Sequence, residues 1–266
     1  MIFDIVNSDP GFASSNTLEN IPGAGTYSFM PGSYDTKEDF LNSLAEKPQD
    51  WYYRHNPVEY TINSHKFRTK EFKDIDWKNS IVLLGCSHTF GIGVTDEHTI
   101  AANLEKITGK TVVNLGQPGF SNGLISYNSH YLKENYPTPL GVVNIWTNMV
   151  RWFEITSEQR RLETKVYCDI EKTNANTINT IVTNNIMYMK MSNALWKDHP
   201  NHIQLCVSDY RRDLKTRLLS ITQKVFPEVI RLKKGWEQDM SARDNAHWGR
   251  ETTEKIAKLI ASNLKL

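Results

Sequence analysis

The stretch Ile81-Val82-Leu83-Leu84-Gly85-Cys86-Ser87-His88-Thr89-Phe90-Gly91-Ile92-Gly93 decides the architecture. Its opening residues, IVLLG at 81 to 85, are short, branched and apolar on both faces, as a strand in the middle of a parallel sheet must be. Small residues and two further glycines follow, a composition that lets the backbone turn sharply out of the strand. Ser87 therefore falls just past the carboxyl end of a predicted central strand, where open α/β sheets place their ligands.

Working outward, the texture alternates between short apolar runs and amphipathic stretches. Ile100, Leu104 and Ile107 recur at helical spacing within Asp96 to Ile107, and Gly109-Lys110 offers a stop. TVVNLG (111–116) predicts a second strand, Asn122 to Glu134 a second helix, and GVVNIW (141–146) a third strand. Residues 151–176 are polar and read as a connecting insertion near the carboxyl edge of the sheet. Thr177 to Trp196 then reads as a helix, HIQLCV (202–207) as a fourth strand, Asp209 to Val225 as a helix and Glu228 to Leu232 as a weak fifth strand. Trp248, Thr252, Ile256, Leu259, Ile260 and Leu264 mark one face of a final helix. Such alternation predicts an α/β domain built on a mostly parallel, five-stranded sheet over residues 78–266. Residues 1–77 are rich in Pro, Gly, Ser, Asn and aromatics. They read as an irregular N-terminal extension packed on or near the core, with a short helix near Lys37 to Leu44 and a short strand within TINSHKFRTKEF (61–72).

Composition bounds the function. The 31 Lys and Arg are interspersed with 30 Asp and Glu for a net charge of +1, so the strongly basic face of a nucleic-acid binder is not indicated. Three cysteines, Cys86, Cys168 and Cys206, lack metal-site spacing, and their odd number argues against a disulfide scaffold. No apolar stretch approaches the ~18 residues of a membrane span, and the first residues lack the pattern of a secretory signal. The expectation is a soluble protein, cytoplasmic or part of a larger particle, with no nucleic-acid or membrane partner.

Ser87 in a glycine-rich turn is by itself ambiguous, since a serine there also serves as a cap or a phosphate contact. The segment lacks the Gly-Lys-Ser/Thr ending of a P-loop and a strict GxGxxG, which lowers the nucleotide alternatives. A serine hydroxyl is a weak nucleophile that needs a base, and the base needs an orienting group. Asp244-Asn245-Ala246-His247, at the entrance of the last helix, supplies both within three residues. Taken alone, the same pair reads as a helix cap beside a surface histidine. Gly119, after the second strand, could present a backbone N–H, and Asn148, after the third, an amide N–H, to a developing oxyanion. Three successive strand ends and the tail thus converge on one crevice.

Ser87 in GCSHTFGIGV, Gly119 in NLGQPGFSN, Asn148 in VVNIWTN, and Asp244 with His247 in DNAHWG resemble the four ordered blocks of SGNH/GDSL-like serine hydrolases, over roughly residues 80–266. The resemblance implies a flavodoxin-like three-layer α/β/α domain without metal or other cofactor. It also implies ester hydrolysis through an acyl-serine intermediate. In that scheme Ser87 attacks, His247 relays the proton, Asp244 orients His247, and Ser87 N–H, Gly119 N–H and Asn148 form the oxyanion hole. Two positions depart from the family pattern: Cys86 stands where an Asp usually precedes the nucleophile, and Met149 where an Asp commonly follows the block Asn.

The substrate expected from the resemblance is a short acyl ester, acetyl for instance, of a carbohydrate or related alcohol. An O-acyltransferase and a catalytically silent binding module of the same fold are the alternatives. His88, Trp152 and Trp236 are candidate substrate contacts, against the alternative that they are loop or core residues like Trp146, Trp196 and Trp248. His199 and His202 have a spacing seen in metal sites, but Pro200 prevents a regular helical pair and no third ligand is evident, so they read as loop residues. Arg54 and Arg68 either meet an acidic or carbohydrate ligand or tie the extension to the core.

Overall fold

The computed structural model describes residues 11–13, 22–30, 35–149, 151–156, 161–166, 175–207, 229–232, 236 and 241–266. In chain order the elements are β1 (Gly25–Tyr27), α1 (Lys37–Glu46), β2 (Tyr60–Ile62), β3 (Ile81–Gly85), the short α2 (Ser87–Phe90), α3 (Ile100–Thr108), β4 (Val112–Gly116), α4 (Asn122–Asn135) and β5 (Gly141–Trp146). After these come β6 (Arg151–Thr156), β7 (Arg161–Val166), α5 (Ala175–Leu195), β8 (His202–Cys206), β9 (Ile230–Arg231) and α6 (Arg250–Ala261).

Strand order in the main sheet is β4-β3-β5-β8-β9, with every neighbouring pair parallel. Ile81 pairs with Val112 on one side and Gly141 on the other, which makes β3 the central strand that its apolar run predicts. The chain leaves β3 for β4 on one flank and then crosses to β5 on the other. The carboxyl end of β3 is therefore the topological switch point, where outgoing loops diverge and leave a crevice.

Side chains alternate across each strand, so successive residues of β3 feed opposite layers. Ile81 and Leu83 pack with Ile100 and Leu104 of α3, Val143 and Ile145 of β5, and Ile256 and Ile260 of α6. Val82 and Leu84 pack on the opposite face with Val113, Leu115, Leu124, Leu132 and Met189, so that α4 and α5 cover that side. The result is a three-layer α/β/α domain. Full burial of a Leu or Ile side chain contributes about 1.5–3 kcal/mol, and all four of these β3 residues are fully buried.

Several boundaries differ from the sequence reading for local reasons. The first long helix begins at Ile100 because Thr99 adopts an extended conformation and its hydroxyl caps the helix by accepting from Ala102 N at 3.1 Å; Asp96–His98 is a separate 3₁₀ turn. Residues 151–176 contain a β-hairpin, with β6 and β7 antiparallel from Arg151↔Val166 to Thr156↔Arg161. The fifth strand is two residues long, joined to β8 through Leu205↔Ile230. The helix expected at Asp209 to Val225 lies outside the described residues, as do Glu228 and Cys168.

The extension carries more order than its composition implies. β1 pairs antiparallel with β2, α1 is capped by the Thr36 hydroxyl accepting from Asp39 N at 3.1 Å, and Met30, Tyr53, Val58, Tyr60 and Ile62 form a third apolar cluster. Phe90 and Ile92, which follow Ser87, belong to that same cluster. Among the described residues no helix is long and apolar enough to cross a membrane.

Candidate active site

Gly85 ends β3 and Gly116 ends β4, and both are forced to be glycine by α2, which lies against the sheet. A Cβ on Gly85 would sit 2.0 Å from Thr89 Oγ1, and one on Gly116 would sit 2.6 Å from Phe90 N. Asn114 of β4 fixes the turn from below, donating from Nδ2 to Thr89 O at 3.0 Å. Ser87 is the first residue of α2, which ends at Gly91 in the left-handed region with φ 87°. The serine is thus held at a sharp strand-to-helix turn, buried to 6% exposure.

Asp244 and His247 lie in a tight turn immediately before α6. Asn245 takes a left-handed conformation with φ 55°, and Asp244 Oδ1 accepts from the backbone N–H groups of Ala246 at 3.1 Å and His247 at 3.2 Å. Its other oxygen, Oδ2, lies 2.5 Å from His247 Nδ1, and His247 Nε2 lies 2.9 Å from Ser87 Oγ. The Asp244 side chain is fully buried and the His247 side chain is 12% exposed, so the carboxyl end of this chain is removed from water while the imidazole keeps an opening. With Asp244 ionised, Nδ1 carries the proton and Nε2 presents its lone pair to the serine hydroxyl.

The two expected oxyanion donors follow the strands that flank β3. Gly119, half-buried, takes φ 77° in the turn after β4, a conformation that favours glycine. Asn148, also half-buried, follows β5, and its carbonyl accepts from Arg151 N at 3.2 Å. The residues around Asn148 are braced by two buried asparagines. Asn122 Oδ1 accepts from Thr147 N at 2.8 Å, and Asn122 Nδ2 donates to Thr147 O at 3.3 Å. Asn185 Nδ2 donates to Met149 O at 3.0 Å and to Arg151 O at 2.9 Å. These contacts hold the loop that carries Asn148 and Met149. Met149 itself is buried in the apolar layer, as is Cys86.

His88 packs against the site from inside, its ring 4.9 Å from His247 and 4.2 Å from Trp248. Burial first, with smaller contributions from neighbouring His247 and Arg151, holds it well below the usual histidine range, so it is neutral near pH 7. Trp152 is half-buried on β6, while Trp236 is half-buried against the layer that contains Trp248. Trp146, Trp196 and Trp248 are core residues.

The remaining candidates have structural tasks. His199 Nε2 meets Pro139 O at 2.9 Å and His202 Nε2 meets Asn144 Oδ1 at 3.1 Å, each spent on a strand-end contact. No group of three potential metal ligands occurs among the described residues. Arg54 closes the end of α1, donating to Pro48 O at 2.7 Å and to the Leu44 and Lys47 carbonyls. Arg68 ties the extension to the core: it donates to Val94 O at 2.8 Å, Glu59 O at 2.7 Å and Asp96 Oδ1 at 2.6 Å, and also to Gly91 O.

The sheet order and the helical layers on both faces make a three-layer α/β/α fold, with Ser87, His247 and Asp244 in a hydrogen-bonded chain at the carboxyl end of the central strand. The sequence matches no protein-family model and no curated protein. Among solved structures the chain is similar to a carbohydrate esterase described as having divergent catalytic and non-catalytic binding functions at its active site (14% identity, TM-score 0.47, covering 72% of this chain and 66% of that one). It is similar also to an acetyl xylan esterase from the rumen bacterium Butyrivibrio proteoclasticus (10% identity, TM-score 0.45, covering 79% and 66%). A third is a member of the lipolytic G-D-S-L family from Veillonella parvula (11% identity, TM-score 0.41, covering 69% and 94%).

Proposed function

We propose that the protein is a serine esterase that hydrolyses a short acyl ester, acetyl being the first to test, of a carbohydrate or related alcohol. The observation that carries this reading is the unbroken chain Ser87 Oγ, His247, Asp244, with 2.9 Å and 2.5 Å contacts at the crevice end of β3. As Ser87 Oγ attacks the ester carbonyl carbon, its proton passes to His247 Nε2, and Asp244 stabilises the imidazolium that forms. The carbonyl oxygen becomes an oxyanion, for which the donors are Ser87 N–H, Gly119 N–H and the Asn148 amide. Ser87 N–H suits this task because the first N–H groups of a helical turn have no acceptor within it. Collapse of the tetrahedral species expels the alcohol, which takes the proton from His247. Water, activated by the same imidazole, then attacks the acyl-serine and releases the acid. His88, Trp152 and Trp236 are assigned to substrate contact.

The test is a panel of p-nitrophenyl esters and acetylated sugars. Wild type is expected to release acid from a short-chain member, with Ser87→Ala slower by ~10³-fold or more. Folded wild type that hydrolyses none of them would overturn the reading and favour a silent binding module.

A further inference from the structure

The extension reaches the turn that carries Asp244 through a closed ring of hydrogen bonds. Arg243, the residue before Asp244, donates from Nε to Asp35 Oδ1 at 2.8 Å and from Nη2 to Asp35 Oδ2 at 2.7 Å, a contact that spans 208 residues of sequence. Asp35 Oδ2 also accepts from the Tyr60 hydroxyl, and that hydroxyl accepts from Gly93 N at 2.8 Å. Gly93 O in turn accepts from Arg243 N at 2.9 Å, which closes the ring. Two members, Asp35 and Tyr60, belong to the extension. Gly93 belongs to the loop after Ser87, and Arg243 to the turn that carries Asp244 and His247.

The ring is buried and tightly packed. The Arg243 and Asp35 side chains are 3% and 1% exposed, and the guanidinium lies 4.4 Å from the Phe29 ring and 5.4 Å from the Phe40 ring. Burial and the Asp35 charge keep the Tyr60 hydroxyl protonated, so it remains a donor to the carboxylate. At Gly93, φ is 75°, and a Cβ would lie 2.8 Å from Ala242 Cβ and 3.0 Å from Asp244 Oδ1. The nucleophile loop and the Asp244 turn are thus in direct contact, and Asp35, the ionic partner of Arg243, comes from the extension.

We infer that Asp35, Tyr60 and Arg243 are positioning residues, through which the N-terminal extension sets the Asp244–His247 turn in register with Ser87. The physical reason is that a buried ion pair is costly to break from one side, since the remaining charge is left without a partner in a low-dielectric site. The turn must then shift to find one, and a displacement of the order of 1 Å at a reacting group costs about 100-fold in rate. The inference deepens the esterase reading and rests on it for its effect on rate. The geometric part has its own readout.

The experiment uses the full chain as wild type, Asp35→Asn and Tyr60→Phe. Three quantities are followed: thermal unfolding, the rate of covalent labelling by a fluorophosphonate, and the low-field proton resonance of His247 Nδ1, assigned by its loss in His247→Gln. Folded Asp35→Asn is expected to label ~10- to 100-fold more slowly, with KM for a small ester changed less than about twofold and the low-field resonance shifted or lost. Tyr60→Phe is expected to act in the same direction and more weakly, and it decides the matter alone where Asp35→Asn fails to fold. Folded variants that keep both the wild-type resonance and the wild-type labelling rate overturn the inference. A resonance that moves in Asp35→Asn while wild type itself never labels supports the positioning ring and overturns the esterase reading.

Discussion

Asp244→Asn tests the catalytic chain with the least change of shape. Asp244 Oδ1 accepts two backbone N–H groups, from Ala246 at 3.1 Å and His247 at 3.2 Å, while Oδ2 faces His247 Nδ1 at 2.5 Å. In the variant the amide oxygen must stay on the two backbone donors, because turning the NH₂ toward them sets donor against donor. The amide nitrogen then faces Nδ1 and donates to it. His247 is driven into the tautomer with its proton on Nε2, where it cannot accept the Ser87 proton. Such a tautomer error costs about 10⁴ in kcat, equivalent to about 5 kcal/mol in the activation barrier. KM is expected to change little, because the Asp244 side chain is fully buried behind His247. Initial rates on p-nitrophenyl acetate, with thermal unfolding run in parallel, measure both. A folded variant whose kcat stays within about tenfold of wild type would refute the assignment of Asp244.

Other outcomes follow from the same contacts. Gly93→Ala places a Cβ 2.8 Å from Ala242 at φ 75°; it is expected to lose about 2–3 kcal/mol of stability in urea unfolding, and a neutral result would remove the close packing of the two loops. Asn122→Ala leaves the Thr147 N–H without its acceptor, at a cost of about 1–3 kcal/mol. It is expected to lower kcat more than it raises KM, since the Thr147–Asn148 backbone loses its brace. His202 is held down to about 4, by burial first and His199 second. The unfolded chain takes up that proton near pH 6.5, so this contribution is complete above ~6.5 and is lost as pH falls toward 4, up to about 3 kcal/mol. Urea titrations at pH 7 and 4.5 should show a smaller loss on acidification in His202→Gln than in wild type.

The sheet was readable because β3 is a continuous apolar run and β4 and β5 are apolar runs interrupted only by Asn114 and Asn144, as suits strands covered on both faces. The meeting of Ser87, Asp244 and His247 was readable because Ser87 and His247 each sit at an element boundary marked by glycine or by short polar side chains. The hairpin at 151–166 was not, since Ser157-Glu158-Gln159-Arg160 contains neither glycine nor asparagine to signal a tight turn. The braces of the Asn148 loop were missed as well. Asn122 reads as an ordinary helix start, although Asn185 carries a signal: with Ile181 and Met189 it places an amide in the middle of an apolar helical stripe. The Asp35–Arg243 pair had no local signature at all, because a contact across 208 residues exists only once the extension has folded against the sheet's carboxyl edge.

Covalent labelling tests the central claim most directly. Wild-type protein treated with a fluorophosphonate and mapped by peptide mass spectrometry is expected to carry a single adduct on Ser87, absent in Ser87→Ala and formed at least ~100-fold more slowly in His247→Ala. Folded wild type that stays unlabelled, or that carries its adduct on another residue, would contradict the account.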